Sequence, residues 1–104
     1  MPRAPESVAV DAYVIDALLP DLVGHDRRPS AFVVYLVLWR HTDGGRAPAE
    51  LSLRELAEAS GLSKRAVQAA VDALRRRRLV ALARETPTSV PSYQVLRPWA
   101  SRRG

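Results

Sequence analysis

The stretch Ser52-Leu53-Arg54-Glu55-Leu56-Ala57-Glu58-Ala59-Ser60-Gly61-Leu62-Ser63-Lys64-Arg65-Ala66-Val67-Gln68-Ala69-Ala70-Val71 decides the fold. Ser52 and Glu55 stand three residues apart in the capping-box pattern, where hydroxyl and carboxylate satisfy the orphan donors of a helix start. A helix over 53–60 follows. Gly61 supplies the left-handed position that ends it without a Cβ clash, and Ser63 opens a second helix over 63–78. Ala66, Val67, Ala70, Val71 and Leu74 share one face of that helix. Lys64, Arg65, Gln68, Asp72, Arg75 and Arg76 occupy the others. Two helices joined so tightly need a small residue at the crossing, Ala57, and apolar locks at Leu62, Val67 and Ala70.

Downstream, residues 79–84 and 92–97 read as strands flanking a seven-residue loop, 85–91, rich in Thr, Ser and Pro. Pro98 stops the second strand. Upstream, Glu50-Leu51 reads as a very short strand and residues 42–48 as a turn. Residues 31–41 form a strongly apolar segment with Phe32, Tyr35, Leu36, Leu38 and Trp39 at helical spacings; its length and a Ser30 N-cap favour helix over buried strand. Residues 24–29 read as a loop. Residues 8–22 are apolar enough to pack, but Pro20 limits a helix there to about 11–19, and an extended start is the alternative. The termini, 1–7 and 100–104, are expected to be mobile. The expected organisation is an N-terminal extension at 1–29, a folded domain at 30–99 and a basic tail at 100–104.

The chain has 104 residues and is 47% hydrophobic, which allows one core and makes a second improbable. Its net charge is +5, and the charge is unevenly placed. Residues 1–62 hold six basic and nine acidic side chains, whereas residues 63–104 hold ten basic and two acidic. Such a basic half points to nucleic acid first and acidic surfaces second. With no cysteine, a disulfide framework and a Cys-containing zinc site are excluded, and a reducing cytoplasm is compatible. The longest apolar run, 31–39, is nine residues, too short to cross a bilayer, which takes roughly 20. No secretory signal is recognisable near Met1, so a cytoplasmic location is expected.

At the residues quoted, and at Leu74 and Leu79-Val80, the chain resembles the winged helix-turn-helix regulators of bacteria. It is particularly similar to the DNA-binding domains of the GntR and MarR families and to the N-terminal domains of plasmid replication initiators. The resemblance covers roughly residues 31–97. It implies an α+β, mainly helical fold: a three-helix core, a C-terminal β-hairpin wing and, here, an N-terminal extension. It also implies that Arg54, Ser63, Lys64, Arg65 and Gln68 face double-stranded DNA. Arg65 and Gln68 suit base reading, since Arg matches guanine O6/N7 and Gln matches adenine N6/N7; Arg54, Ser63 and Lys64 suit phosphate. Arg75, Arg76 and Arg84 complete the expected contact set. The sequence departs from the family pattern in three places. Arg78 stands where Gly is usual before the wing, which predicts a less regular junction; Ser60 takes a normally apolar site; and the tip Thr86-Pro87-Thr88-Ser89-Val90 carries no charge.

Each reading has a plainer competitor. Arg75-Arg76-Arg77-Arg78 spans one helical turn, so its guanidiniums point around the axis and cannot all meet one duplex; a run like this also suits a solvated helix end. His25 and His41 lie near Asp26 and Asp43, but without a third ligand or an organised nucleophile no metal site and no enzyme is expected. No cofactor or small-molecule effector is implied. Trp99 either caps the core or touches a second subunit. The expected function is sequence-specific DNA binding as a small transcriptional regulator acting as a homodimer through the N-terminal segment. The alternatives are a replication or partition accessory and a winged-helix protein-interaction module.

Overall fold

The computed structural model describes residues 6–100; the chain ends at 1–5 and 101–104, where mobility is expected, lie outside the described residues. Two π-helical segments, Val14–Leu18 and Pro20–His25, are followed by helix α1 (Pro29–His41), strand β1 (Ala49–Glu50), helices α2 (Leu53–Ser60) and α3 (Lys64–Arg76), and strands β2 (Val80–Ala83) and β3 (Ser92–Val95). The strands form one antiparallel sheet in the order β1-β3-β2. Val80 pairs with Val95 and Ala83 with Ser92, while Ala49 of β1 pairs with Tyr93 on the other edge of β3. This is a winged helix-turn-helix: three helices, then a hairpin wing, with the short strand before α2 stitched to the hairpin.

Helix α1 is the hub. Ala31, Phe32, Val34, Tyr35, Leu38 and Trp39 are all buried and share one broad face, while Val33, Leu36, Val37 and Arg40 on the opposite side are half-buried. A buried face this wide needs more than one neighbour to cover it. Helices α2 and α3, strand β3 and the second π-helical segment each pack against it. Val67, Ala70, Val71 and Leu74 supply the α3 side, Leu56 the α2 side, and Val14, Leu18 and Leu22 belong to the same core. The Tyr35 hydroxyl donates to the Leu96 carbonyl at 3.1 Å, and the Trp39 indole N–H to the Ala9 carbonyl at 2.8 Å. Both ends of the domain are therefore tied to α1 by its aromatic residues.

The N-terminal segment differs from the sequence expectation. The chain does not leave the helical region at Pro20: Leu19 keeps helical angles (φ −58°, ψ −56°), and the Leu19 N–H bonds the Val14 carbonyl, five residues back. Asp26 N–H likewise reaches the Asp21 carbonyl at 2.8 Å. Proline has no N–H to donate, and its ring crowds the carbonyl four residues back in an α-helix; the wider π turn accommodates both facts. The loop expected at 24–29 is consequently shorter, since Gly24 and His25 remain helical. Helix α1 also starts two residues earlier than a Ser30 cap would require. Arg28 is its N-cap and Pro29 its first residue, because the fixed φ of proline is already helical and the missing N–H is not needed there.

Two long-range clusters hold this segment down. Asp11 accepts from the Arg97 Nε–H and the Trp99 indole N–H, both at 2.9 Å, and the Trp99 ring stacks on Tyr13 at 4.6 Å between centroids. Trp99 thus fastens the C-terminal end to the N-terminal segment. Burial alone would raise the Asp11 carboxyl, but the hydrogen bonds from Trp99 and Arg97 outweigh it and hold the group below its ordinary range. At the other end, the Arg77 guanidinium bonds Asp21 and also Asp26, the latter at 2.9 Å. His25 Nδ1 lies 3.1 Å from Asp26, and the His25 hydrogen bond, with Arg77, holds the Asp26 carboxyl down. Asp21, His25 and Asp26 gather their ligand-type atoms within 4.8 Å, around a guanidinium.

The helix-to-wing junction is regular, contrary to the expectation drawn from Arg78. Arg78 adopts the left-handed conformation (φ 58°), its N–H bonds the Arg75 carbonyl at 3.0 Å, and Leu79 N–H bonds the Leu74 carbonyl at 2.9 Å. These are the two bonds of a Schellman motif, closed by contact between buried Leu74 and Leu79. Apolar closure and hydrogen bonding hold a non-glycine residue where glycine would cost less. The opposite case is Gly45: at φ 87° a Cβ there would sit 2.9 Å from the Val95 carbonyl oxygen, so the backbone of the α1–β1 turn can approach β3 only without a side chain.

The same backbone physics predicts opposite signs at these two positions. Arg78→Gly should raise stability by about 0.5–1 kcal/mol, and Gly45→Ala should lower it by about 1–3 kcal/mol, read from urea midpoints. For Asp11, a folded-state pKa below the ordinary 3.8 means that its contribution is complete above that value and is lost as pH falls through the lower one. Stability measured from about pH 6 down to about pH 3 should fall less steeply in Asp11→Asn than in the wild type; parallel curves would show that the Trp99–Asp11–Arg97 cluster is not a source of acid sensitivity.

Candidate nucleic-acid interface

The capping box expected at the start of α2 is present in full: the Glu55 N–H reaches the Ser52 hydroxyl at 3.0 Å, and the Ser52 N–H reaches the Glu55 carboxylate at 2.8 Å. Those hydrogen bonds, from the Ser52 backbone first, keep the Glu55 carboxyl below its ordinary range. Gly61 closes α2 in the left-handed region (φ 79°). Ser60 serves the turn itself: its oxygen accepts from Leu62 N–H at 3.2 Å while its hydroxyl lies 3.3 Å from the Ala57 carbonyl, which is why a polar residue is tolerated at an otherwise apolar site. Ser63 then caps α3, accepting from Ala66 N–H at 3.0 Å.

With Val67, Ala70, Val71, Ala73 and Leu74 buried, α3 turns a polar face outward. Lys64, Arg65, Gln68, Arg75 and Arg76 are exposed on it, and Asp72 is half-buried between its two ends. Among the described residues, none of Lys64, Arg65, Arg75 and Arg76 is within ion-pairing distance of a carboxylate, in contrast to Arg77 and Arg97, which are held by Asp21, Asp26 and Asp11. The arginine run is thereby divided by geometry: Arg75 and Arg76 lie on the last turn of the helix, Arg77 faces back to the N-terminal segment, and Arg78 turns the corner into the wing.

The remaining site candidates fall in two places. Arg84 leaves the end of β2 and donates to the Pro87 carbonyl at 3.1 Å, so it lies across the base of the wing loop. The loop is folded on itself through Thr86 and Ser89, whose side-chain oxygens are 2.7 Å apart. Between the wing, the start of α2 and α3 lies a cleft of about 300 Å³ lined by Ser52, Gln68, Arg84 and Tyr93 among others. Gln68 and Arg84, 16 positions apart in sequence, share this cleft. Arg54 stands apart on α2, exposed and 3.3 Å from Glu58, an i,i+4 pair of little energetic weight.

Sequence reading passed over Asp72 as a site residue. The Gln68 side-chain amide donates to the Asp72 carboxylate at 3.2 Å, one helical turn away. The i,i+4 spacing of a Gln and an Asp is the signal that would have found it.

The profile of a family described as a helix-turn-helix domain matches residues 28–80, which runs from the cap of α1 to the first residue of β2. No curated protein and no solved structure matches the chain. No helix among the described residues is long and apolar enough to cross a membrane.

Because the Ser63 oxygen is the cap of α3, Ser63→Ala should lower stability by about 1 kcal/mol, whereas Ser63→Asp, which can accept the same bond, should stay within about 0.5 kcal/mol of the wild type in urea unfolding.

Proposed function

The chain belongs to the helix-turn-helix domain family, and on that premise we propose that it binds double-stranded DNA sequence-specifically as a small transcriptional regulator. The observation that supports this most is the outward face of α3, where Lys64, Arg65, Arg75 and Arg76 carry charge that no carboxylate among the described residues neutralises. An unpaired row of cations on one helix face is matched by the phosphates of a duplex, and a helix of this size fits the major groove.

In this reading α3 enters the groove with its N-terminal half leading. Arg65 and Gln68 read base edges, each good bidentate pair being worth about 1–3 kcal/mol of discrimination. Lys64 and the start of α3 at Ser63 hold phosphate, with Arg54 on the preceding helix; Arg75 and Arg76 meet the backbone further along. Arg84 contributes charge from the base of the wing, and the uncharged tip contributes shape. The activity is binding without a catalytic step, and the absence of cysteine suits a reducing bacterial cytoplasm.

The protein acts as a homodimer in this proposal, giving two half-sites. Val14, Leu18 and Leu22 are committed to the domain's own core, so the contact falls on the outer side of the same segment, where Val10, Tyr13, Ile15 and Val23 are exposed.

Selection of the purified protein against a random duplex library at near-physiological salt should enrich an inverted repeat with half-sites about 10 bp apart. Arg65→Ala with Gln68→Ala should abolish the preference while leaving the fold intact. Six cationic contacts predict a loss on the order of a thousandfold in affinity between 50 and 200 mM salt. Retention without enrichment would make the protein an accessory binder of the replication or partition kind, and no retention would make it a protein-docking module. A monomeric mass at micromolar concentration and on DNA would remove the dimer.

A further inference from the structure

We propose that Asp72 is a specificity-determining positioning residue, which orients the Gln68 amide for adenine; this inference rests on the DNA-binding reading above. An unrestrained glutamine on an exposed helix face can present either end of its amide, oxygen or nitrogen, to a base edge. Here the amide nitrogen donates to the Asp72 carboxylate at 3.2 Å. A carboxylate accepts only, so the oxygen of the amide cannot take that place. Helical side chains lean toward the N-terminal turn, which carries Asp72 onto Gln68 rather than away from it.

The consequence is chemical. With one N–H of the amide engaged by Asp72, Gln68 keeps its carbonyl oxygen and its second N–H for the groove. That pair, an acceptor beside a donor, is what adenine N6–H and N7 require. A flipped amide would offer the same groups in reversed order. Asp72 therefore removes the wrong orientation before DNA arrives, and pre-organisation of this kind improves discrimination without adding a contact. It also explains why an acidic residue stands in the middle of a basic face. Arg75 and Arg76 border the same shallow recess as Asp72, so its repulsion of the duplex is offset locally.

A bland role for the pair, support of the helix by an i,i+4 hydrogen bond, makes a different prediction. The test compares wild type, Gln68→Ala, Asp72→Ala and Asp72→Asn on a duplex carrying the selected site and on single-base-pair variants of it, with thermal melts as a control for folding. Gln68→Ala should lose about tenfold discrimination at one A·T pair. Asp72→Ala should lose most of the same discrimination at the same pair while binding a scrambled duplex more tightly, since a negative charge is gone. Asp72→Asn removes that charge too and can donate as well as accept, so it holds Gln68 in either orientation: it should bind scrambled duplex more tightly and lose part of the adenine preference. Unchanged discrimination in Asp72→Ala, or a loss confined to a different base pair, overturns the positioning role and leaves DNA binding standing. A wild-type protein that retains no duplex overturns both.

Discussion

The broad apolar face of helix α1 must be covered, and the rest of the molecule is arranged to meet that requirement. Its buried residues, from Ala31 and Phe32 to Leu38 and Trp39, span nearly half of the helix circumference, so no single neighbour can cover them. Helices α3 and α2, strand β3 and the second π-helical segment share the contact with it. Detachment of the π-helical segments would uncover part of α1 and the buried side chains Val14, Leu18 and Leu22, at a cost of roughly 25 cal/mol per Å² of apolar area exposed. The N-terminal extension is accordingly a structural part of the winged helix, with its outer side left for other contacts.

The same packing makes the outward polar face of α3. Because α3 turns Val67, Ala70, Val71 and Leu74 toward α1, its polar residues have one direction left, and all of them face outward together. Arginine is used in two ways on either side of this division. Arg77 and Arg97 are drawn into carboxylate clusters that fasten the N-terminal segment, whereas Arg75 and Arg76, adjacent to Arg77 in sequence, are left in solvent. A shift of one position around the helix, about 100°, separates the two fates. The Schellman closure at Arg78 sets where that rotation ends, and hence the angle at which β2 departs into the wing.

The polar face is more than a collection of charges. Asp72 lies among cations and bonds Gln68, the side chain proposed to read adenine, so in that proposal the order of residues along α3 encodes an orientation as well as an attraction. The wing adds the cleft that Gln68 and Arg84 share, although its tip is neutral.

Much of this was legible in the chain alone. The Ser52–Glu55 box, the Gly61 turn, the Ser63 cap and the apolar spacing of α3 are interactions between residues at most four or five positions apart, and such contacts write themselves into local pattern. The candidate residues on α3 were legible for the same reason, since helical periodicity alone places them opposite the apolar face. Asp72 had the same local signal and was hidden only by its charge, which looks unsuited to a DNA-facing helix. What the sequence could not show was decided by tertiary structure. The helix that continues past Pro20, the division of the arginine run, and the role of Trp99 depend on pairs separated by 51, 56, 86 and 88 positions, whose partners nothing local specifies. A proline rule describes an α-helix in isolation, and the need to cover α1 selects a π turn instead. Local hydrogen bonding and side-chain periodicity determined the helix-turn-helix; burial of α1 decided what surrounds it.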